Sequence, residues 1–183
     1  MTRYIAFLRG INVSGQKLIR MEHLRTVFTD MKFRHVQTYI QSGNVIFDAT
    51  TATTPEALQQ KIEKQLLQTY GFEVTTIVRT LSQIQEIVAN NPFAAQMGEE
   101  HTMLYVAILP VIPDTTLVNT LVALSTPLDT YHVRDREVYV FCRKNIGKNL
   151  FSTMLIEKKL KLPATVRNWA TMNKLLTYPS PEQ

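Results

Sequence analysis

The first eighty residues switch repeatedly between strand-like and helix-like hydrophobic spacing, and that alternation constrains the fold more than any single motif. Residues 3–9 (RYIAFLR) are aromatic and aliphatic and read as a strand. Met21, Leu24, Val27, Phe28 and Met31 then recur at helical spacing and form one apolar face. Residues 35–40 and 44–47 are β-prone, with Gln41-Ser42-Gly43 between them as a turn signal, which predicts a hairpin. Thr54 suits a helix cap and Pro55 a first helical position. Leu58, Ile62, Leu66 and Tyr70 step by four, and Gly71 suits a left-handed helix end. Residues 72–79 alternate Phe72, Val74, Thr76 and Val78 as a half-buried strand would. The resulting order is βαββαβ, the ferredoxin-like unit.

The second half begins the same way. Thr80 and Gln83 form a capping box for a short helix that Pro92 ends. Residues 103–109 read as a strand and 113–124 as a helix. Residues 130–133 and 137–142 read as a hairpin around Arg134-Asp135-Arg136. Leu150, Phe151, Met154 and Leu155 mark another helix. After Pro163, Thr165 is expected to cap a last helix carrying Trp169, Met172 and Leu176 inward. That reading leaves no final strand. The expected fold is therefore α+β: two ferredoxin-like (α/β-plait) subdomains packed together, the second incomplete, with a helical C-terminus. The division falls at residues 1–80 and 81–183. The element order repeats, but no residue-level repeat is evident.

Composition narrows the function classes. At 45% hydrophobic and 19% charged residues the chain is an ordinary globular protein. No apolar run approaches the ~20 residues that cross a bilayer, so no membrane partner is expected. No signal peptide is read at the N-terminus, and a cytoplasmic protein is expected. Cys142 is the single cysteine, which rules out an intramolecular disulfide. The net charge of +5 is unevenly spread. Residues 1–34 carry seven Lys/Arg against two Asp/Glu, residues 35–133 carry three against nine, and residues 134–183 carry ten against four. The basic ends either attract the acidic middle or converge on a face that attracts an anion.

Three motifs carry polar residues that core packing alone does not require. The first, Leu8-Arg9-Gly10-Ile11-Asn12-Val13-Ser14-Gly15, opens a strand end into a loop. Its glycines stand at P-loop spacing, but Gln16 occupies the lysine position and Leu18 offers no hydroxyl to magnesium, so nucleotide hydrolysis of that kind is not expected. A plain connection explains the glycines; a backbone cradle with Arg9 and Asn12 as polar contacts is the functional reading. The second, Tyr39-Ile40-Gln41-Ser42-Gly43-Asn44, fits a tight hairpin, yet it also gathers three hydrogen-bonding side chains at one sheet end. The element order does not fix whether this tip and the first strand's exit share an end. The third, Thr165-Val166-Arg167-Asn168-Trp169, would place Arg167 and Asn168 in a helix's first turn. A cation there opposes the helix dipole unless it meets a carboxylate or an anion.

Other candidates are weaker. His23, His35, His101 and His132 show no metal-ligand spacing, so no metal is expected. Ser42 has no recognisable His/Asp partners. Glu99-Glu100-His101 reads as an exposed loop. Lys158, Lys159 and Lys161, with Arg143, Lys144, Lys148 and Lys174, read as solvated surface or as a nucleic-acid footprint, without the stacking aromatics of an RNP-like motif. The sequence names no cofactor.

The segments LRGINVSG, YIQSGNVIF and ATVRNWATMNKL, in this order and spacing, resemble an uncharacterised bacterial family catalogued as domain of unknown function 1697. The family's first motif usually reads with two glycines where this chain has Ser14-Gly15. The resemblance implies two ferredoxin-like subdomains and no established activity. It marks Arg9, Gly10, Asn12, Gly15, Gln41, Ser42, Gly43, Asn44, Arg167, Asn168 and Trp169. The expected function is binding of a small anionic ligand at a polar cleft formed by the three motifs. Arg9 and Arg167 would supply charge; Asn12, Gly15, Ser42, Asn44 and Asn168 would complete the site. Nucleic-acid binding by the basic ends and a purely structural interdomain clasp are the alternatives.

Overall fold

Helix α2 (Pro55–Tyr70) shows how local chemistry sets an element. The Thr54 hydroxyl accepts from the Ala57 amide at 3.2 Å, Pro55 opens the first turn, and Gly71 closes the last at φ 73°. Leu58, Ile62 and Leu66 fall on one side and are buried. The computed structural model describes residues 1–144 and 147–178. They form an α+β chain with two four-stranded antiparallel sheets and six α-helices. The chain divides into two units, Met1–Gln85 with the stretch from Leu175, and Glu86–Lys174.

The first unit contains β1 (Thr2–Leu8), α1 (Met21–Asp30), β2 (Arg34–Tyr39), β3 (Asn44–Ala49), α2 and β4 (Thr76–Thr80), with sheet order β2-β3-β1-β4. Phe7 lies opposite Asn44 and Leu8 opposite Thr76, so the exit of β1, the β2–β3 tip and the start of β4 share one end of the sheet. Tyr4, Ala6 and Leu8 point to a core completed by Leu24 and Phe28 of α1 and by Leu58, Ile62 and Leu66 of α2. Strand alternation turns Ile5, Phe7, Ile46 and Ile77 to the opposite face, where they are also fully buried. The strand expected from residue 72 begins only at Thr76. Gly71 has just ended α2, and the Thr76 amide is fixed by the Glu63 carboxylate at 2.8 Å.

The second unit contains β5 (Thr102–Ile108), α4 (Thr115–Val122), β6 (Asp129–Arg134), β7 (Glu137–Arg143), α5 (Thr153–Leu160) and β8 (Thr165–Asn168), with order β6-β7-β5-β8. This corrects the expectation of an incomplete copy. Thr165 does not cap a helix; it is buried in β8, which pairs with β5 so that Val106 faces Arg167. The helix that follows, α6 (Trp169–Leu176), is capped by Asn168, whose Oδ1 accepts from the Thr171 amide at 2.8 Å. The other strand-to-helix exit is built alike. The Thr80 hydroxyl accepts from the Gln83 amide at 3.1 Å, and Gln83 Oε1 accepts from the Thr80 amide at 2.9 Å, opening α3 (Leu81–Ala89).

Candidate functional site

The first two motifs interlock within the first unit. Ser14 at φ 50° and Gly15 at φ 74° are the centre of a tight turn in which the Gln16 amide donates to the Val13 carbonyl at 2.9 Å. Two successive positive φ angles are the pattern of the type I′ hairpin turn. Asn12 locks this small finger to the sheet. Its Nδ2 donates to the Ile19 carbonyl at 3.0 Å and the Gln41 carbonyl at 2.9 Å, while its Oδ1 accepts from the Ile19 amide at 2.8 Å. The Leu8 amide donates to the Gly43 carbonyl at 2.8 Å. A Cβ at Gly43 would stand 2.7 Å from Ile11 Cδ1 and 2.8 Å from Leu8 Cβ, at φ +82°. Close approach and backbone angle both require glycine there. On the other side Lys17 Nζ donates to the Glu73 carbonyl at 2.6 Å.

These bonds decide what the motif side chains do. Asn12 spends both amide hydrogens inside the fold. Asn44 is fully buried, and its Nδ2 donates to the Tyr39 carbonyl at 2.9 Å and the Ser42 hydroxyl at 3.2 Å, closing the hairpin. Arg9 is half-buried and its amide donates to the Thr75 carbonyl. Ser14 and Gly15 are exposed, and Ser42 is half-buried. The loops are also strained. Asn12, Ser14, Lys17 and Ile40 all take positive φ without being glycine, and Ile40, at φ 52°, is β-branched.

The third motif belongs to the second unit. Arg167 is 8% exposed, and its Nη1 donates to the Val166 carbonyl at 2.9 Å. Burial lowers the guanidinium to about 10, so it is still a cation at neutral pH. Asn168 is exposed and serves as the helix cap; Trp169 is half-buried. Sequence reading missed the counterpart of Arg167 in the first unit. Arg79 is 2% exposed, its Nη1 donates to the Val78 carbonyl at 3.3 Å, and it faces Ile5 as Arg167 faces Val106. A signal was present: Val78-Arg79 and Val166-Arg167 each stand at the end of a strand that runs into a helix.

A cavity that no motif announced lies at the other end of the first sheet. It is about 550 Å³, with Phe33 and Leu58 among its apolar walls and Lys32, Arg34 and Lys61 as its cations. Lys61 Nζ donates to the Met31 carbonyl at the end of α1, 2.9 Å away, and stands 4.8 Å from the Phe33 ring centre. That placement satisfies a helix C-terminus and adds a cation–π contact. Asp48 lies opposite Arg34 in the strand register. Its carboxylate is already taken by Arg3 Nε at 3.0 Å and His35 Nδ1 at 2.8 Å. Among the described residues the side chains of Lys32 and Arg34 make no hydrogen bond or ion pair, and both are exposed.

Other chemistry finds little footing. Among the described residues no group of three or more His, Cys, Asp or Glu could hold a metal ion. Cys142 is buried, and burial together with the Asp129 carboxylate pushes its thiol up to about 12, so it is no nucleophile. Lys158 and Lys159 occupy the last turn of α5, where cations complement the helix dipole, and Lys161 ends that helix at φ 55°. No described helix is long and apolar enough to cross a membrane.

A family model described as Protein of unknown function (DUF1697) matches residues 1–139, a span that holds the first two motifs and ends before the third. No curated protein matches the chain. Among solved structures, the conserved bacterial protein SP0830 from Streptococcus pneumoniae is similar at a TM-score of 0.72 and 24% identity, covering 96% of this chain and 97% of that one. At that identity the likeness concerns the fold.

Proposed function

The chain belongs to the DUF1697 family, a membership that brings no activity with it, and from the geometry we propose that this protein binds a small anionic ligand in the basic cavity of its first unit. One observation carries the reading: Lys32, Arg34 and Lys61 surround a cavity of about 550 Å³ while the carboxylate in register with Arg34 is engaged elsewhere. The volume suits a small molecule. Phe33 and Leu58 offer an apolar wall, and the cations of the lining offer charge. A ligand with a flat apolar part and one phosphate or carboxylate fits both. Each exposed cation within ~4 Å of the anion contributes on the order of 1 kcal/mol, reduced by salt.

The test uses phenyl phosphate, with phenol as its uncharged counterpart. Bound ligand at 100 times its dissociation constant stabilises the fold by ~2.7 kcal/mol. Phenyl phosphate is expected to raise the melting temperature where phenol does not, and the K32M/R34M double variant to lose the effect. Equal responses of wild type and double variant contradict the proposal.

A second reading has its own observation. Three strained non-glycine residues of the first two motifs, Asn12, Ser14 and Ile40, sit with Lys17 in loops joined at one sheet end. Strain of that kind concentrates at ligand sites. On this reading the anion meets Arg9, Gly15 and Ser42, and Asn12 and Asn44 hold the loops in shape.

A further inference from the structure

We infer that a cavity in the second unit, walled by Leu124, Leu150 and Leu155, binds a small monocarboxylate with an apolar chain or ring. The cavity is about 400 Å³ and also has Tyr131, Lys159 and Asp129 in its lining. This site goes beyond the proposed function: it lies in the other unit, uses other residues and takes a different ligand class.

The argument starts from a hydroxyl. Tyr131 is 4% exposed, and its Oη is buried with no hydrogen-bond partner. A buried donor left unsatisfied is uncommon, because its desolvation is not offset. Burial, followed by the charge of Asp129, pushes this phenol up to about 12, so at neutral pH it is a donor. The Tyr131 side chain lines a space that three leucines also wall. A ligand acceptor placed there gives the hydroxyl the partner that the protein does not.

Charge then narrows the ligand. Lys159, half-buried, is the cation in the lining. Asp129 is the carboxylate, and its oxygens are engaged. Oδ2 accepts from the Leu150 amide at 2.6 Å and the Phe151 amide at 3.0 Å, and Oδ1 accepts from Asn149 Nδ2 at 2.7 Å. Although burial raises its pKa, the donors Asn149, Cys142, Phe151 and Leu150 together hold it below its ordinary value, so it is ionised at neutral pH. The Thr126 hydroxyl oxygen accepts from the Leu128 and Asp129 amides at 3.2 Å. A fixed negative charge disfavours a phosphate dianion. One cation and one phenolic donor suit the two oxygens of a carboxylate, and the leucines suit an apolar tail.

The experiment titrates the full chain with octanoate by calorimetry, with 1-octanol and octylammonium as neutral and cationic counterparts. Octanoate is expected to bind saturably and more tightly than either. Tyr131→Phe removes a hydroxyl that has no protein partner, so it keeps the fold, which a urea melt verifies. It is expected to weaken octanoate about tenfold, as K159M is, each removing one hydrogen bond to a charged group. K32M/R34M is expected to bind octanoate like wild type, which separates this site from the first-unit cavity. Absence of saturable octanoate binding, tighter binding of octylammonium, or affinity unchanged in both Tyr131→Phe and K159M overturns the inference.

Discussion

Asn12 and Gln41, 29 positions apart in sequence, are joined by a hydrogen bond of 2.9 Å from the Asn12 amide to the Gln41 carbonyl. With the bond pair between Asn12 and Ile19, one side chain holds the loop after β1 against the β2–β3 tip. Asn12 and Asn44, polar residues of the first two motifs, therefore hold the loops of this sheet end in shape.

Asn12→Ala deprives the Ile19 amide and two carbonyls of their partners. It is expected to lower stability by about 1–3 kcal/mol. Gly43→Ala adds a Cβ into Ile11 and Leu8 at positive φ, and is expected to lower it by about 2–5 kcal/mol. Urea denaturation midpoints measure both.

Ile40 takes φ 52° while half of its surface is exposed. Asparagine tolerates that backbone region far better than a β-branched side chain. Ile40→Asn is expected to stabilise the protein by about 1 kcal/mol in the same melts. A loss of stability would show that Ile40's packing outweighs its strain.

Asp129 anchors the segment before α5 through the Leu150 and Phe151 amides. Asp129→Asn turns a donor toward these donors and is expected to lower stability by about 2–4 kcal/mol at neutral pH. Because the folded pKa lies below the ordinary 3.8, the native carboxylate's stabilisation is complete above that value. It fades as pH falls through the lowered folded value, so the wild-type advantage over Asp129→Asn shrinks in acid. Melts between neutral pH and pH about 3 give the comparison.

The elements that sequence reading located are those with local causes. Helix α2 has its cap, its proline, its four-residue step and its terminal glycine all within one stretch. Strand β8 lacks such signals. It is four residues long, Thr165 is a respectable cap residue, and Trp169, Met172 and Leu176 supply a helical period from Trp169 onward. What makes it a strand is its pairing with β5, some sixty positions earlier, which no local window contains. Only the recurrence of Val-Arg followed by Thr-Leu or Asn-Trp could have marked it from sequence.

The three motifs stood out in the sequence for a local reason as well. Their glycines and asparagines are conspicuous in the chain because turns need them, and turns are what most of them serve. Lys32, Arg34 and Lys61 form no motif; the folding of α1, β2 and α2 brings them to one cavity. The contact between the first two motifs was likewise invisible until the register of β1 on β3 placed both loops at one sheet end.

The most direct test of anion binding in the first unit is a titration of the nitrogen-15-labelled protein with phenyl phosphate, followed by amide resonances. Saturable shifts at residues 32–34, 50–53 and 61, reduced by added salt and absent in K32M/R34M, are the predicted result. Shifts centred on residues 9–17 and 40–44, or none anywhere, would contradict the account.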